Sequence, residues 1–251
     1  MSLKSLIQSS ARTLGYEIRK FPKNGIGGDP HRDIAQLVLP KSSHVVFDVG
    51  ANFGTTIDAF RKSLARPTIH AFEPAPQTFR ELQRTHGNTQ GVHLNIFALG
   101  SKTSTQTLIE NTLPEMSSFL EPSATSWGKI KQRTKVTIRT IDEYCAEHGI
   151  AEIDILKSDA QGYDLEVIKG SKKMLSRDGI HLIYLEIILS EMYKNLPRLD
   201  QIFGFLFDYG FSLVTFYEFY YQNNRASWTD ALFINERFTG SQLTLGISIE
   251  S

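Results

Sequence analysis

From residue 44 onward, short blocks of β-branched and aromatic residues alternate with stretches in which apolar residues recur every three or four positions. "HVVFDVG" and "PTIHAFEP" are short and continuously apolar, and they read as buried strands. "TTIDAFRKSLA" follows the first with Ile57, Phe60 and Leu64 at helical spacing; "APQTFRELQRTHGN" follows the second with Phe79 and Leu82 inward and stops at Gly87-Asn88. "GVHLNIFALG" predicts a third strand. The next stretch, to about residue 140, is rich in Ser and Thr without a helical period; it predicts short strands and loops over one end of a sheet. "TIDEYCAEHG" predicts a helix opened by a capping box, Thr140 with Glu143. "IDILKSD" and "IHLIYLEI" are two more buried strands, joined by "YDLEVIKGSKKMLSRDG" as one helix. "PRLDQIFGFLFDYG" sets Leu199, Ile202, Phe203 and Leu206 on one helical face, and "FSLVTFYEF" and "SWTDALFIN" close the series as strands with no helix between them.

Strands alternating with helices predict a parallel sheet covered on both faces, with ligands at the carboxyl ends of the strands. The final pair predicts an antiparallel hairpin at one edge. The expected fold is therefore α/β: a Rossmann-like, doubly wound sheet of seven strands, of the kind class I methyltransferases have. One domain over 41–237 accounts for the pattern, with a helical extension over 1–40 and a tail over 238–251. In the extension, Leu3, Ile7 and Leu14 with Lys4, Arg12, Arg19 and Lys20 predict a short basic amphipathic helix packed on the domain.

Composition narrows the partners. Lys plus Arg and Asp plus Glu are both 27, so no global field recruits nucleic acid or an anionic membrane, and the basic stretch "KIKQRTK" carries no interleaved aromatics. Cys145 is the one cysteine, which excludes an intramolecular disulfide. No run reaches the roughly 20 apolar residues of a membrane span, and the N-terminus lacks a secretory apolar core, so the expected location is cytoplasmic. The seven histidines show no zinc spacing. A homo-oligomer is compatible with all of this.

Candidate chemistry begins at the first strand-to-helix turn, Asp48-x-Gly50-x-x-x-Gly54. Glycines there let backbone amides approach a ligand. The spacing is not the G-x-G-x-x-G of a dinucleotide site, and a carboxylate at Asp48 would repel a pyrophosphate while suiting a cationic sulfonium amino acid. S-adenosylmethionine is thus favoured over NAD. Glu73, 25 residues beyond Asp48, stands where an acidic side chain bonds ribose hydroxyls. Ala98 and Leu99 end the third predicted strand, where it would pass an adenine. Asp159 and Glu186 end the next two strands at the expected mouth; such a pair could also bind Mg²⁺ through oxygen.

In order, "FDVGANFGTT", "AFEPAPQTFREL", "FALG", "SSFL", "TIDEYC", "DILKSDAQGYDLEVIKGS", "IYLEI" with "MYKNLP", and "DALFIN" resemble the FkbM family of S-adenosylmethionine-dependent methyltransferases, over roughly residues 40–236. The resemblance implies methyl transfer to an oxygen nucleophile, commonly a hydroxyl of a sugar, glycan or natural product, with S-adenosylhomocysteine as product. It assigns Asp48, Gly50, Ala51, Asn52, Gly54 and Thr55 to the methionine end and its turn, and Glu73 and Pro74 to the ribose. Ser117 and Ser118 fall on a loop over the adenosyl group. Asp159 is implied as base or acceptor-positioning group, with Glu186 beside it and Tyr193 bordering the acceptor. The family motif often reads K-I-D-x-E-G, whereas this chain has Lys157-Ser158-Asp159-Ala160-Gln161-Gly162. Gln161 puts a neutral amide in place of a carboxylate, which argues against a metal. The alternatives are an NAD-dependent oxidoreductase and a binding module that keeps the cofactor turn without catalysis.

Overall fold

The computed structural model describes residues 3–14 and 25–238. In chain order, α1 (Leu3–Thr13) and α2 (Pro30–Leu37) precede β1 (Val45–Val49), α3 (Thr55–Ser63), β2 (Thr68–Phe72), α4 (Pro76–His86) and β3 (Val92–Asn95). Then come β4 (Ala98–Leu99), β5 (Ser104–Asn111), β6 (Ile130–Arg139), α5 (Ile141–His148), β7 (Ile153–Ser158), α6 (Asp164–Lys169) and α7 (Lys172–Ser176). The last elements are β8 (Ile180–Ile188), α8 (Leu199–Asp208), β9 (Phe211–Gln222) and β10 (Arg225–Asn235).

The main sheet has seven strands in the order β3-β2-β1-β7-β8-β10-β9. Its first five strands are parallel, and β10 runs antiparallel to both β8 and β9. Successive residues serve opposite faces: Val46, Ile155 and Leu182 pack with α2, α3 and α4, while Phe47, Leu156 and Ile183 pack with the helices from α5 to α8. This is why the sequence shows unbroken apolar runs rather than alternation. The chain winds outward from β1 in one direction and from β7 in the other, so the gap between their carboxyl ends is the topological switch point, where such sheets bind ligands.

Several expectations needed revision. "GVHLNIFALG" is two strands in two sheets: β3 pairs with β2, and β4 pairs with β6 in a separate sheet ordered β4-β6-β5. Asn95 divides them, since its side-chain amide donates to the carbonyls of Ala71 and His93 and the next residue, Ile96, is left exposed. The Ser/Thr-rich insertion holds a long antiparallel pair, Ser104↔Ile138 through Asn111↔Ile130, rather than short strands. The helix predicted after β7 is broken into α6 and α7, because the Asp142 carboxylate takes the amides of Lys173 and Met174 and so starts a second helix. Thr140 does cap α5, accepting from the Glu143 amide at 3.1 Å. Leu199 is exposed while Ile202 and Leu206 of the same helix are buried. Helix α1 forms with Leu6 and Ile7 exposed; Arg19, Lys20 and residues 239–251 lie outside the described residues. No helix among the described residues is long and apolar enough to cross a membrane.

Candidate active site

At the switch point β1 ends and the chain turns through Gly50 at φ +72°. A Cβ on Gly50 would stand 2.0 Å from the carbonyl oxygen of Asp159, so only glycine lets the ends of β1 and β7 come this close. The amides of Gly50 and Ala51 both donate to the Phe72 carbonyl, which fastens the turn to the end of β2. Gly54 serves another purpose. A Cβ there would meet the His86 ring at 2.4 Å, so this glycine seats α3 on α4 and does not face the crevice. Thr55 is the exposed first residue of α3, and neither it nor the buried Ala51 lines the crevice.

Asp48 is also placed differently from the expectation. It is fully buried, and its carboxylate pairs with Lys157 Nζ at 3.1 Å, its neighbour in register on β7. Lys157 also donates to the carbonyls of Val49 and Gly50. Burial disfavours the lysine's charge, yet Asp48, with Asp159 and Asp164 nearby, holds its pKa above the ordinary value. A carboxylate in a central strand has no water to solvate it and takes the nearest cation. Asp48 therefore braces the β1 end from beneath instead of gripping a ligand.

The crevice itself spans about 650 Å³ of space, open solvent at its mouth included. Glu73, Pro74, Ala98, Leu99, Ser117 and Ser118 line it, with Asn52 and Gly50 at the turn. Glu73 accepts from the amides of Asn52 (3.0 Å) and Ala75 (2.8 Å), and burial pushes its pKa up to about 7 despite those bonds. Asn52 sits at φ +47°, and its Oδ1 is buried with no hydrogen-bond partner. Leu108 and Phe119, from the insertion, complete an apolar wall with Phe72 and Leu99. Sequence reasoning missed those two; the apolar pair Leu108-Ile109 inside a polar stretch was the available signal. The titratable side chains on the lining are Glu73, Glu115, Asp159 and Tyr163, and no lysine or arginine is among them. The Ser117 hydroxyl accepts from the Asn111 amide, and that of Ser118 donates to the Gln161 carbonyl at 2.7 Å, pinning the loop to the crevice floor.

A second cleft, about 600 Å³ with open solvent included, opens beside the first; Asp159, Gln161 and the exposed Glu115 line both. Here the amide nitrogen of Gln161 donates to Asp159 Oδ1 at 2.9 Å and to Glu186 Oε2 at 2.7 Å. The Tyr193 hydroxyl donates to Gln161 Oε1 at 2.8 Å, which fixes the amide with its NH₂ toward the two acids. Tyr193 thus lies behind Gln161, off the lining of this cleft, rather than bordering it. Burial, with the charge of Asp159 next, pushes the Glu186 pKa well above the carboxylate range. The turn carrying Asp159 and Gln161 is organised by Asp164, the first residue of α6, where its spacing suits a helix first turn. It is buried and accepts from the Ser158 hydroxyl and the amides of Ala160 and Gly162, with burial raising its pKa to about 6.

A family model described as "Methyltransferase FkbM domain" matches residues 48–213, from the end of β1 to the start of β9. The chain belongs to the FkbM family of methyltransferases. As an FkbM methyltransferase it depends on S-adenosylmethionine. It is similar to the 2-O-methyltransferase NoeI of Sinorhizobium fredii, 25% identical over 213 residues, covering 80% of this chain and 84% of NoeI. It is similar also to the hexuronic acid methyltransferase AglP of Haloferax volcanii, 26% identical over 176 residues, 67% of this chain and 66% of AglP. Among solved structures, Aeropyrum pernix fibrillarin with natively bound S-adenosylmethionine aligns over 80% of this chain and 73% of its own at 15% identity and a TM-score of 0.45.

The crevice of this FkbM methyltransferase fits that cofactor in its chemistry. A buried Asn52 Oδ1 lacks a partner, Glu73 keeps spare lone pairs, an apolar wall can enclose a purine, and a lining with acids and no basic side chain suits a cationic sulfonium. A dinucleotide's pyrophosphate would meet carboxylates and no basic side chain on that lining.

Proposed function

We propose that this protein transfers a methyl group to a hydroxyl of a sugar-containing acceptor. The observation that carries the reading is that Asp159 lines both clefts, at the one seam where a methyl donor on one side can face an acceptor on the other. On this reading Glu73 accepts from the ribose hydroxyls, Asn52 and the Gly50 turn hold the methionine end, and Leu99, Leu108 and Phe119 cover the adenine. The bound cofactor supplies an already activated methyl group. The protein's tasks are therefore alignment, exclusion of water and removal of one proton.

Asp159 takes the proton from the attacking hydroxyl. Burial and the neighbouring Asp159 push the Glu186 pKa well above the ordinary carboxylate value, which disfavours its charged form beside Asp159. Gln161 holds both acids in place through its two N–H bonds. The names of the relatives support an oxygen acceptor on a sugar: one is a 2-O-methyltransferase and the other acts on a hexuronic acid. The test is methyl transfer from labelled S-adenosylmethionine to a panel of glycosides. Asp159→Asn is expected to lower turnover by about 10²–10⁴ while the affinity for S-adenosylhomocysteine stays the same. Full turnover in that variant refutes the assignment.

A further inference from the structure

The second cleft has an unusual wall. The chain contains two tryptophans, Trp127 and Trp228, and both line it. Trp228 comes from β10 and Trp127 from the insertion, so the edge hairpin and the insertion meet here. Their rings stand edge to face at 5.1 Å and 86°, and Tyr220 lies flat against Trp228 at 4.8 Å and 6°. Trp228 is thus clamped, while Trp127 remains 41% exposed. Asp159, Glu186 and Glu115 line the same cleft, Glu186 two residues along β8 from Ile188, the register partner of Trp228, and no lysine or arginine lines it.

Accepting the methyltransferase reading above, we infer that this cleft binds an uncharged pyranose ring, its C–H face on the tryptophans and its hydroxyls turned to the carboxyl groups. Flat, rigid aromatic faces match the apolar face of a sugar ring, and hydrogen-bond acceptors beside them in the same cleft match its hydroxyl rim. The charge distribution decides between kinds of sugar. A uronate or a sugar phosphate would bring a second anion to within a few ångströms of Asp159, with no cation on the wall to compensate. The preference is therefore for a neutral hexoside, in contrast to the hexuronic acid named for the relative AglP.

Because both tryptophans sit in this cleft, the fluorescence of the unmodified protein reports on it directly. With S-adenosylhomocysteine saturating, methyl glucoside, galactoside, mannoside and rhamnoside are titrated beside methyl glucuronide. At least one neutral glycoside is expected to give a saturable change in tryptophan emission, with the glucuronide at least about tenfold weaker. Trp127→Ala is expected to weaken that glycoside about tenfold and to leave the affinity for S-adenosylhomocysteine unchanged. A glucuronide that binds as well as the neutral sugars, or no emission change with any glycoside up to about 50 mM, overturns the inference. The two readings fail separately. Glycoside binding without any methylated hydroxyl leaves the sugar cleft standing and removes the proposed function. Methylation of an acceptor that leaves both tryptophans unperturbed does the reverse.

Discussion

Glu73 offers a measurement in which the sign is set by the fold. Its carboxyl has an ordinary value of 4.5 and is pushed up to about 7 by burial, against the two amide bonds that favour its ionised form. The unfolded chain therefore releases this proton near pH 4.5, whereas the folded protein keeps it until about pH 7. Stability from this group is fully present below the lower value and is lost as the pH rises through the upper one. The gap corresponds to about 3 kcal/mol of destabilisation at pH 8. Glutamine resembles the protonated carboxyl in shape and cannot ionise. Glu73→Gln is expected to match the wild type within about 1 kcal/mol at pH 4.5 and to exceed it by about 3 kcal/mol at pH 8. Asp164 and Glu186 also have raised values, and their contributions are common to both proteins and cancel in the difference. Urea unfolding of the two proteins at a series of pH values gives the quantity directly. A difference that stays flat from pH 4.5 to 8 refutes the reasoning, because Glu73 would then titrate as an exposed carboxylate does.

Other consequences follow from the same contacts. If Glu73 receives the ribose hydroxyls, binding of S-adenosylhomocysteine at pH 7 releases up to about half a proton, seen as calorimetric heats that vary with the buffer. Gly50→Ala places a methyl group 2.0 Å from the Asp159 carbonyl at a positive φ, and is expected to cost about 3 kcal/mol or more, a fall of roughly 10 °C in Tm. Lys157→Met strands the Asp48 charge in the sheet and is expected to destabilise by about 3–5 kcal/mol, with much of the loss regained in the double variant carrying Asp48→Asn. Gln161→Glu sets a third acid between Asp159 and Glu186; the acid limb of the pH–rate profile is expected to move up by about one unit, and an unmoved limb counts against Asp159 as the base.

The sheet could be read from sequence because its information is local. Each strand is a compact apolar run, and each helix that crosses it carries its own period, so β1, β2, β7 and β8 and their order needed no tertiary knowledge. The site was legible only in outline. Of the acidic strand ends, Glu73 and Asp159 do line the crevice and Glu186 lines the cleft beside it, since in a parallel sheet the strands deliver their ends to the same edge. What each residue does there depends on cross-strand neighbours that sequence spacing does not reveal. Asp48 looked like a ligand for a cation, and it does hold one, but the cation is Lys157, its partner on the adjacent strand. Gly54 looked like part of the cradle, and its constraint comes from His86 on the next helix. Leu108, Phe119 and Trp127 went unread because an insertion reaches the site by folding back over it, and no periodicity announces such a contact.

Gln161, the departure from the family's motif, is the residue whose position explains most about the site. Every polar group on its side chain is engaged: both amide hydrogens go to Asp159 and Glu186, and the carbonyl oxygen receives Tyr193. Its own backbone carbonyl takes Ser118, and its backbone is held at φ +50°. A glutamate in this place would confront two acids with a third, and the cluster would need an extra proton or a cation to persist at neutral pH. The amide supplies the hydrogen bonds permanently, with its nitrogen standing between the two carboxyl groups where a bridging ion would have to sit. The substitution thus replaces a requirement met from solution with one met by the chain itself. It leaves Asp159, held by that amide, at the seam between the two clefts.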